Sequence, residues 1–158
     1  MLFRSEDWTK YELTTPYDYI KENPIVQCSS PCPSTWGENS DYSVWLNPSN
    51  HWIYRKLHRS EQAMIRLANT YKEPDEITKR ALNQAARELM LAESSDWPFI
   101  IKNNTTVEYA VRRVNSHISR FNKIYEDISR NSIDNKWLSN IESLDNIFPN
   151  IDYRIYSS

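Results

Sequence analysis

The side chains most able to do chemistry in this sequence are three histidines, two cysteines and 21 acidic residues. A di-iron centre in a helical bundle needs Glu-x-x-His on facing helices, because that spacing aims both ligands inward one turn apart. The sequence contains no such motif, and its nearest approach is the reversed pair His58 and Glu61. His51 and His117 have no partner at ligand spacing. We therefore interpret the histidines as structural and predict no metal site.

The sequence also lacks a motif typical of nucleophilic catalysis. Cys28 and Cys32 are separated by three residues among prolines, and no second Cys or His pair follows at zinc-ligand spacing, so we predict free thiols. Gly-x-Ser-x-Gly does not occur, and neither cysteine has a nearby histidine to act as a base. The carboxylates are numerous, so an independent hydrolase built on two of them stays open. We expect no self-sufficient catalytic centre and no cofactor.

Residues 34–47 form the stretch most suggestive of function. The only glycine of the chain, Gly37, lies between Trp36 and Glu38, and Trp45 follows nine residues after Trp36. Indole faces flanked by polar groups suit a sugar, because ring C–H groups stack on the indole while hydroxyls bond to amides and carboxylates. The same residues also fit a loop whose tryptophans pack onto the core. From the residues alone, both interpretations stay open.

Cap and proline signals predict the elements around this loop. Thr15 can cap a first helix that has Pro16 at its first position and ends near Asn23-Pro24. The prolines and serines that follow predict an extended path as far as Trp36. The loop therefore lies between the first two helices.

Hydrophobic periodicity of three and four residues predicts the remaining helices. Their predicted starts are at Asn47-Pro48, at Pro74, at Thr105 with Glu108 completing a capping box, and shortly before Trp137. The third helix carries a narrow alanine stripe that allows close helix packing. After Phe148-Pro149 we expect a short extended tail that packs back on the bundle. The predicted fold class is all-α, a bundle of about four to five helices forming one domain over residues 1–158.

Composition excludes several classes of protein. The net charge is −2 with both signs interspersed, which argues against nucleic acid and anionic lipid as partners. No apolar run reaches the length of a bilayer span, so no membrane partner is predicted. Residues 1–10 lack the apolar core of a secretory signal, and we expect a cytoplasmic protein. A single glycine also argues against a phosphate-cradling loop.

Several motifs, occurring in order over nearly the whole chain, resemble the C-terminal helical region of glycoside hydrolase family 57 α-glucan branching enzymes. They are Glu12-Leu13-Thr14-Thr15-Pro16, Ser34-Thr35-Trp36-Gly37-Glu38, Val44-Trp45-Leu46-Asn47, Ala85-Ala86-Arg87-Glu88-Leu89, Ser95-Asp96-Trp97-Pro98, Arg120-Phe121-Asn122 and Asp145-Asn146-Ile147-Phe148-Pro149. The resemblance implies a domain that follows a catalytic (β/α) barrel and lines its active-site cleft. It also implies that the two catalytic carboxylates of a retaining mechanism lie on the barrel.

The resemblance implies roles for particular residues. Trp36 and Trp45 match the two tryptophans of the family's cleft-facing loop, which hold glucan and exclude water from the glycosyl intermediate. Gly37 and Glu38 belong to the same motif, and a second motif suggests Asp96 and Trp97 as further substrate-binding residues. Where family members often carry glycines, this chain has Asn39-Ser40-Asp41, so we expect a stiffer loop or another path.

The expected function is therefore that of an accessory domain of a family-57 branching enzyme or a related transferase or amylase. Its expected partners are an α-1,4-glucan and a catalytic barrel, in the same chain or in another. The alternative is a non-enzymatic helical interaction module whose tryptophans are structural.

Overall fold

The computed structural model describes residues 13–37 and 39–157, which fall into two compact units divided between Ser34 and Thr35. In the first unit, α1 (Pro16–Glu22) starts as predicted, since the Thr15 hydroxyl accepts from the Asp18 amide at 3.2 Å. Residues 23–34 that follow contain neither helix nor strand. The helix that starts at Thr15-Pro16 is confirmed, and residues 23–34 lie outside the helices, as predicted.

The described residues of the second unit form five α-helices and a short 3-10 helix. They are α2 (Trp52–Thr70), α3 (Glu76–Ala92), α4 (Asp96–Lys102), α5 (Val107–Ser129), α6 (Asn135–Leu144) and the 3-10 helix Tyr153–Tyr156. None of the described residues forms a β-strand. The all-α prediction and the predicted number of helices in the bundle are confirmed, whereas the single domain over residues 1–158 stays a prediction.

Helix α3 is the centre of this unit and packs most extensively against α5. Ala81, Ala85 and Ala92 are almost completely buried, as the alanine stripe predicts, and small side chains let the two helix backbones approach closely. One apolar cluster joins α2, α3, α5 and α6 around Met64 and Phe121. A second cluster joins the start of α2 to α4 and to the first half of α5.

Two predicted boundaries differ from the structure. Helix α2 begins at Trp52 rather than after Asn47, because the Asn47 side chain accepts from the Ser49 amide at 2.9 Å and so favours a turn. The capping box at Thr105 is wrong: α5 begins at Val107, and Thr106 makes no side-chain capping bond.

Two further elements also correct the sequence interpretation. Helix α4 occupies a segment where the sequence predicted no helix start, and its seven residues are too few for a periodic signal. The tail is a 3-10 helix rather than extended. It does pack back on the bundle, since the Tyr153 hydroxyl donates to the Tyr71 carbonyl at 2.5 Å. No described helix has the length and apolar character needed to cross a membrane.

Candidate functional site

The loop that carries the predicted site begins with a tight turn around Trp36. The Thr35 amide donates to the Ser40 carbonyl at 3.1 Å, and the Ser40 amide donates to the Gly37 carbonyl at 2.8 Å. The Gly37 amide donates to the Thr35 hydroxyl at 2.9 Å. Ser40 has a φ of 56°, the left-handed conformation that glycine adopts most easily. The turn is therefore closed by its own hydrogen bonds even though serine occupies the position that favours glycine.

Gly37 is required because the Asp41 carbonyl approaches its Cα too closely to leave room for a side chain. Its own φ is not positive, but a Cβ at this position would collide with the Asp41 carbonyl and lie 3.0 Å from the Thr35 hydroxyl. That hydroxyl also donates to the Asp41 carbonyl, so the crowded atoms are already engaged with one another. The only glycine of the chain is thus explained by packing.

A buried asparagine fixes the second half of the loop. Asn50 is completely buried, and its amide nitrogen donates to the Val44 carbonyl at 3.0 Å and to the Pro98 carbonyl at 3.1 Å. Its side-chain oxygen accepts from the Asn47 amide at 2.9 Å. One side chain therefore ties the loop and the approach to α2 to the start of α4.

The two tryptophans of the loop have different surroundings. Trp36 is 98% exposed at the tip of the turn, so it does not pack onto the core. Trp45 is half-buried, and its carbonyl accepts from the Tyr54 hydroxyl at 2.6 Å. The Trp45 ring lines a cavity of about 130 Å³ together with Tyr54, Glu93 and Ser95. The hypothesis that both tryptophans pack the loop onto the core is therefore wrong for Trp36 and partly right for Trp45.

An acidic pair stands beside the Trp45 cavity. Burial and the neighbouring Glu61 carboxyl raise the pKa of Glu93 to about 7. Burial, together with the charges of Glu93 and Glu61, raises the pKa of Tyr156 to about 12. Near neutral pH the cavity wall therefore offers a carboxyl group that readily exchanges a proton.

The second predicted motif lies next to the same cavity. Trp97 is 9% exposed, its indole nitrogen donates to the Leu91 carbonyl at 2.8 Å, and its ring meets Tyr109 edge to face at 6.1 Å. Asp96 is exposed and accepts from the Ser94 hydroxyl at 2.6 Å. The structure thus brings the 94–98 segment to Trp45, while Glu38 lies outside the described residues.

A second polar group, which the sequence did not reveal, lies inside the bundle. Glu88 of α3 and His117 of α5 are completely buried, and the His117 Nδ1 donates to the Glu88 carboxylate at 2.7 Å. Asp145, at the end of α6, lies 3.9 Å from the same imidazole nitrogen. His117 was interpreted as a structural residue without a partner at ligand spacing. It is in fact hydrogen-bonded to Glu88, at the centre of a network of buried polar side chains.

Arginines complete this network. Arg120 donates to Asp145 and lies 3.8 Å from Glu88, and Arg113 lies 3.9 Å from Asp145. Burial raises the pKa of Glu88, although the bonds from His117 and Gln84 act in the opposite direction. A glutamate on an otherwise apolar helix face needs polar partners when it is buried. Glu88 was therefore the residue in the sequence that could have indicated a buried polar network.

The ligand atoms of Glu88, His117 and Asp145 lie within 4.8 Å of one another, a spacing at which three such side chains could hold a metal ion. The Asp145 carboxylate already accepts a hydrogen bond from Arg120, and Arg113 lies 3.9 Å from it. The positive charges of these two guanidinium groups would repel a metal ion bound between the three side chains. The donor set therefore fits an internal salt bridge better than a metal centre.

The remaining reactive side chains lie at the surface. Cys28 and Cys32 are free and exposed. His51 and His58 are exposed as well, with the His58 ring 6.4 Å from that of Tyr54. Neither histidine is among the residues that line the Trp45 cavity or that form the buried network.

Comparison with known proteins identifies the family. A family model described as 1,4-alpha-glucan branching enzyme, C-terminal, matches residues 56–156, which is more than half of the chain. This chain belongs to the branching-enzyme C-terminal family. The resemblance to family-57 enzymes seen in the sequence motifs is thereby confirmed.

Several relatives of this branching-enzyme C-terminal domain are known. The 1,4-alpha-glucan branching enzyme TK1436 of Thermococcus kodakarensis is 36% identical over 118 residues, which cover 72% of this chain and 18% of that enzyme. The crystal structure of TK1436 in complex with glucose and additives has a TM-score of 0.85 at 31% identity, covering 96% of this chain and 28% of that one.

A third similar structure comes from an enzyme of another name. The α-amylase AmyC from Thermotoga maritima is 38% identical with a TM-score of 0.73, covering 92% of this chain and 26% of that one. This branching-enzyme C-terminal domain therefore spans between 18% and 28% of the relatives that it matches.

Proposed function

We propose that this domain forms one wall of a glucan cleft in a family-57 enzyme, with α-1,4-glucan as its ligand. The catalytic carboxylates belong to a (β/α) barrel, in the same chain or in another, and the domain positions the glucan and excludes water. Membership of the branching-enzyme C-terminal family supports this role. Relatives named as a branching enzyme and as an α-amylase leave transfer and hydrolysis both open for the complete enzyme.

The exposure of Trp36 is the observation that carries the proposal. A large indole that is 98% exposed contributes nothing to the core, yet its turn is held by three hydrogen bonds. Sugar rings stack their C–H faces on such aromatic surfaces. An exposed indole on a hydrogen-bonded turn, in a domain of this family, is therefore suited to hold a glucan residue.

The other proposed residues contribute in two ways. Trp45 and Asp96 offer accessible surface, and the cavity beside Trp45 adds the Glu93 carboxyl and the Ser95 hydroxyl as partners for sugar hydroxyls. Gly37 and Trp97 are buried and shape the site from beneath. Glu38, as part of the same motif, stays a predicted contact.

Excluding water is the chemical contribution of such a wall. In a retaining mechanism a covalent glycosyl intermediate is attacked either by water or by a sugar hydroxyl. An indole lying over the intermediate displaces water and holds the acceptor, which favours transfer. This chain alone is expected to give no turnover on amylose, because both carboxylates of the mechanism are assigned to the barrel.

NMR titration with maltoheptaose tests the proposal through the indole N–H signals. We expect progressive shifts at Trp36 and smaller shifts at Trp45, while Trp97 stays fixed because its indole nitrogen is bonded to the Leu91 carbonyl. Cellohexaose, with β linkages, is the matched control ligand and should leave the signals unmoved. Unchanged Trp36 and Trp45 signals at saturating maltoheptaose would falsify glucan binding by this domain.

A further inference from the structure

A polar groove lies between α2 and α5 of the second unit. It has a volume of about 340 Å³, and its polar lining comes from both helices: Lys56, Arg59, Ser60, Asn115, Ser119 and Asn122. None of these residues lines the Trp45 cavity. Sites for small molecules have volumes of about 300–1,000 Å³, so this groove has room for a small polar ligand.

Helical spacing brings these side chains to the groove. Asn115, Ser119 and Asn122 are four and three residues apart, so they share one face of α5. Ile118 lines the groove beside them, is 7% exposed and belongs to the second apolar cluster. The polar groups are therefore mounted on two packed helices rather than on a loop.

The ammonium group of Lys56 is already held in place. Its Nζ donates to the Asn115 Oδ1 at 2.5 Å and lies 4.8 Å from the centre of the Trp52 ring. A lysine ammonium has three N–H donors, of which Asn115 accepts one. Lys56 thus keeps donors for a ligand without first having to be ordered.

The guanidinium group of Arg59 has no counter-charge. Arg80, Arg120 and Arg154 each pair with a carboxylate, whereas Arg59 is exposed and has neither an ion pair nor a hydrogen bond with any of the described residues. No acidic side chain is among the described residues that line the groove. The groove therefore offers two positive charges, from Lys56 and Arg59, to an anion.

The chemistry of the lining selects the kind of anion. A guanidinium fork matches two oxygens of a phosphate or of a carboxylate. A phosphate monoester carries nearly two negative charges at pH 7, which match two cations better than the single charge of a carboxylate does. The serines and asparagines can bond to hydroxyl groups, and no aromatic ring lines the groove to stack a nucleobase. These properties together suit a phosphorylated sugar.

We infer that the groove between α2 and α5 binds a phosphorylated hexose. Lys56 and Arg59 hold the phosphate, and Ser119 and Asn122 bond to sugar hydroxyls. This assignment gives a role to the exposed Asn122, the last residue of the Arg120-Phe121-Asn122 motif. The site shares no residue with the proposed glucan wall, so neither proposal depends on the other.

Titration of this chain with glucose 6-phosphate tests the inference. Isothermal titration calorimetry should give a saturable isotherm, and the Trp52 indole N–H signal should shift because Lys56 lies over that ring. The Trp36 indole signal should stay unmoved. Glucose, which has no charge, should leave the Trp52 signal unchanged, and glucose 6-sulfate, which carries one charge fewer, should bind more weakly than glucose 6-phosphate. Absence of saturable binding, or equal binding of all three ligands, would overturn the inference.

Variants separate the groove from the net charge of the chain. Lys56→Gln and Arg59→Gln should each weaken binding of glucose 6-phosphate about tenfold or more, because each removes a charge-assisted hydrogen bond. Arg66→Gln removes the same charge from an exposed arginine of α2 outside the groove and should bind as the unmodified chain does. Circular dichroism should show the same helix content in all three variants. Equal losses for Arg59→Gln and Arg66→Gln would overturn a specific site, as would full affinity in both groove variants.

Two further ligands identify the source of the phosphate. Inorganic phosphate that binds as tightly as glucose 6-phosphate would assign the groove to the free ion and overturn sugar recognition. A maltodextrin with 6-phosphate groups, titrated into Trp36→Ala to weaken the proposed glucan site, should also shift the Trp52 signal. Saturation at lower phosphate concentration than with glucose 6-phosphate supports a phosphorylated glucan, and saturation at higher concentration supports a free sugar phosphate. Maltoheptaose shifts at Trp36 that persist in Arg59→Gln would show that glucan binding stands independently.

Discussion

The Trp36 turn and the Glu88–His117 network show two ways of using polar side chains. The two carboxyl groups of the network are buried in the bundle, where each has an imidazole, amide or guanidinium partner, while the arginines at its edge stay partly exposed. The turn bonds to itself and presents an almost completely exposed indole. Changes in the network should therefore appear as changes in stability, and changes at the turn as changes in binding.

The largest expected effect is in the network. His117→Ala removes a completely buried ring and leaves the Glu88 carboxyl group without its closest hydrogen-bond partner, and the cavity and the unpaired group together cost about 3–5 kcal/mol. Urea unfolding at pH 7, followed by circular dichroism, measures this loss. His58→Ala removes an exposed imidazole from α2 and should stay within about 0.5 kcal/mol of the unmodified chain. A loss below about 1 kcal/mol for His117→Ala would show that the network does not hold the bundle together.

The tryptophans sharpen the same contrast. Trp97→Ala removes a buried ring and its bond to the Leu91 carbonyl, so we expect a loss of about 3–5 kcal/mol in the same unfolding assay. Trp36→Ala should change stability by about 0.5 kcal/mol or less, because the ring has almost no contacts to lose. Comparable losses for the two variants would mean that the Trp36 turn is part of the core.

The smallest effect concerns pH. The pKa of Glu93 is about 7 in the folded chain, against an ordinary value of 4.5. Between these values the folded state binds more protons than the unfolded state, so the Glu93 contribution to stability falls as pH rises from about 4.5 to 7. Since Glu93 keeps part of its surface in solvent, screening makes the fall smaller than the full shift would give.

Glu93→Gln isolates this contribution. Thermal unfolding over pH 4 to 8 should show a shallower decline for the variant than for the unmodified chain, with the difference confined to the interval below pH 7. Parallel curves for the two proteins would contradict a raised pKa at Glu93. The buried network stays intact in both proteins, which keeps this comparison separate from that of His117.

The helices were predictable because their signals are local. Thr15 before Pro16 and the alanine stripe of α3 depend on neighbours within a few residues, and both were confirmed. The start of α2 was wrong because the Asn47 side chain competes with the helix for a backbone amide. The start of α5 was wrong because the helix begins at Val107 without a side-chain cap, so the expected capping signal at Thr105 does not mark it. Helix ends are settled by hydrogen bonds that sequence patterns describe only in part.

Only those residues of the candidate site that belong to a recognisable sequence motif could be predicted. The sequence grouped Trp36, Gly37 and Trp45, but the exposure of one tryptophan and the partial burial of the other depend on tertiary packing. The bond between Glu88 and His117 joins positions 29 residues apart, so it depends on how α3 meets α5. Periodicity gives the face of each helix but not its partner across the interface.

The buried Asn50 amide has a consequence for the energetics of ligand binding. By joining the Val44 carbonyl to the Pro98 carbonyl, it makes local opening of the loop require release of α4 as well. The backbone amides of residues 44–47, 49 and 50 should thus exchange hydrogen with the slow kinetics of the bundle. A surface already ordered in this way loses little conformational entropy on binding, so the entropic cost of association falls mainly on the flexible sugar chain.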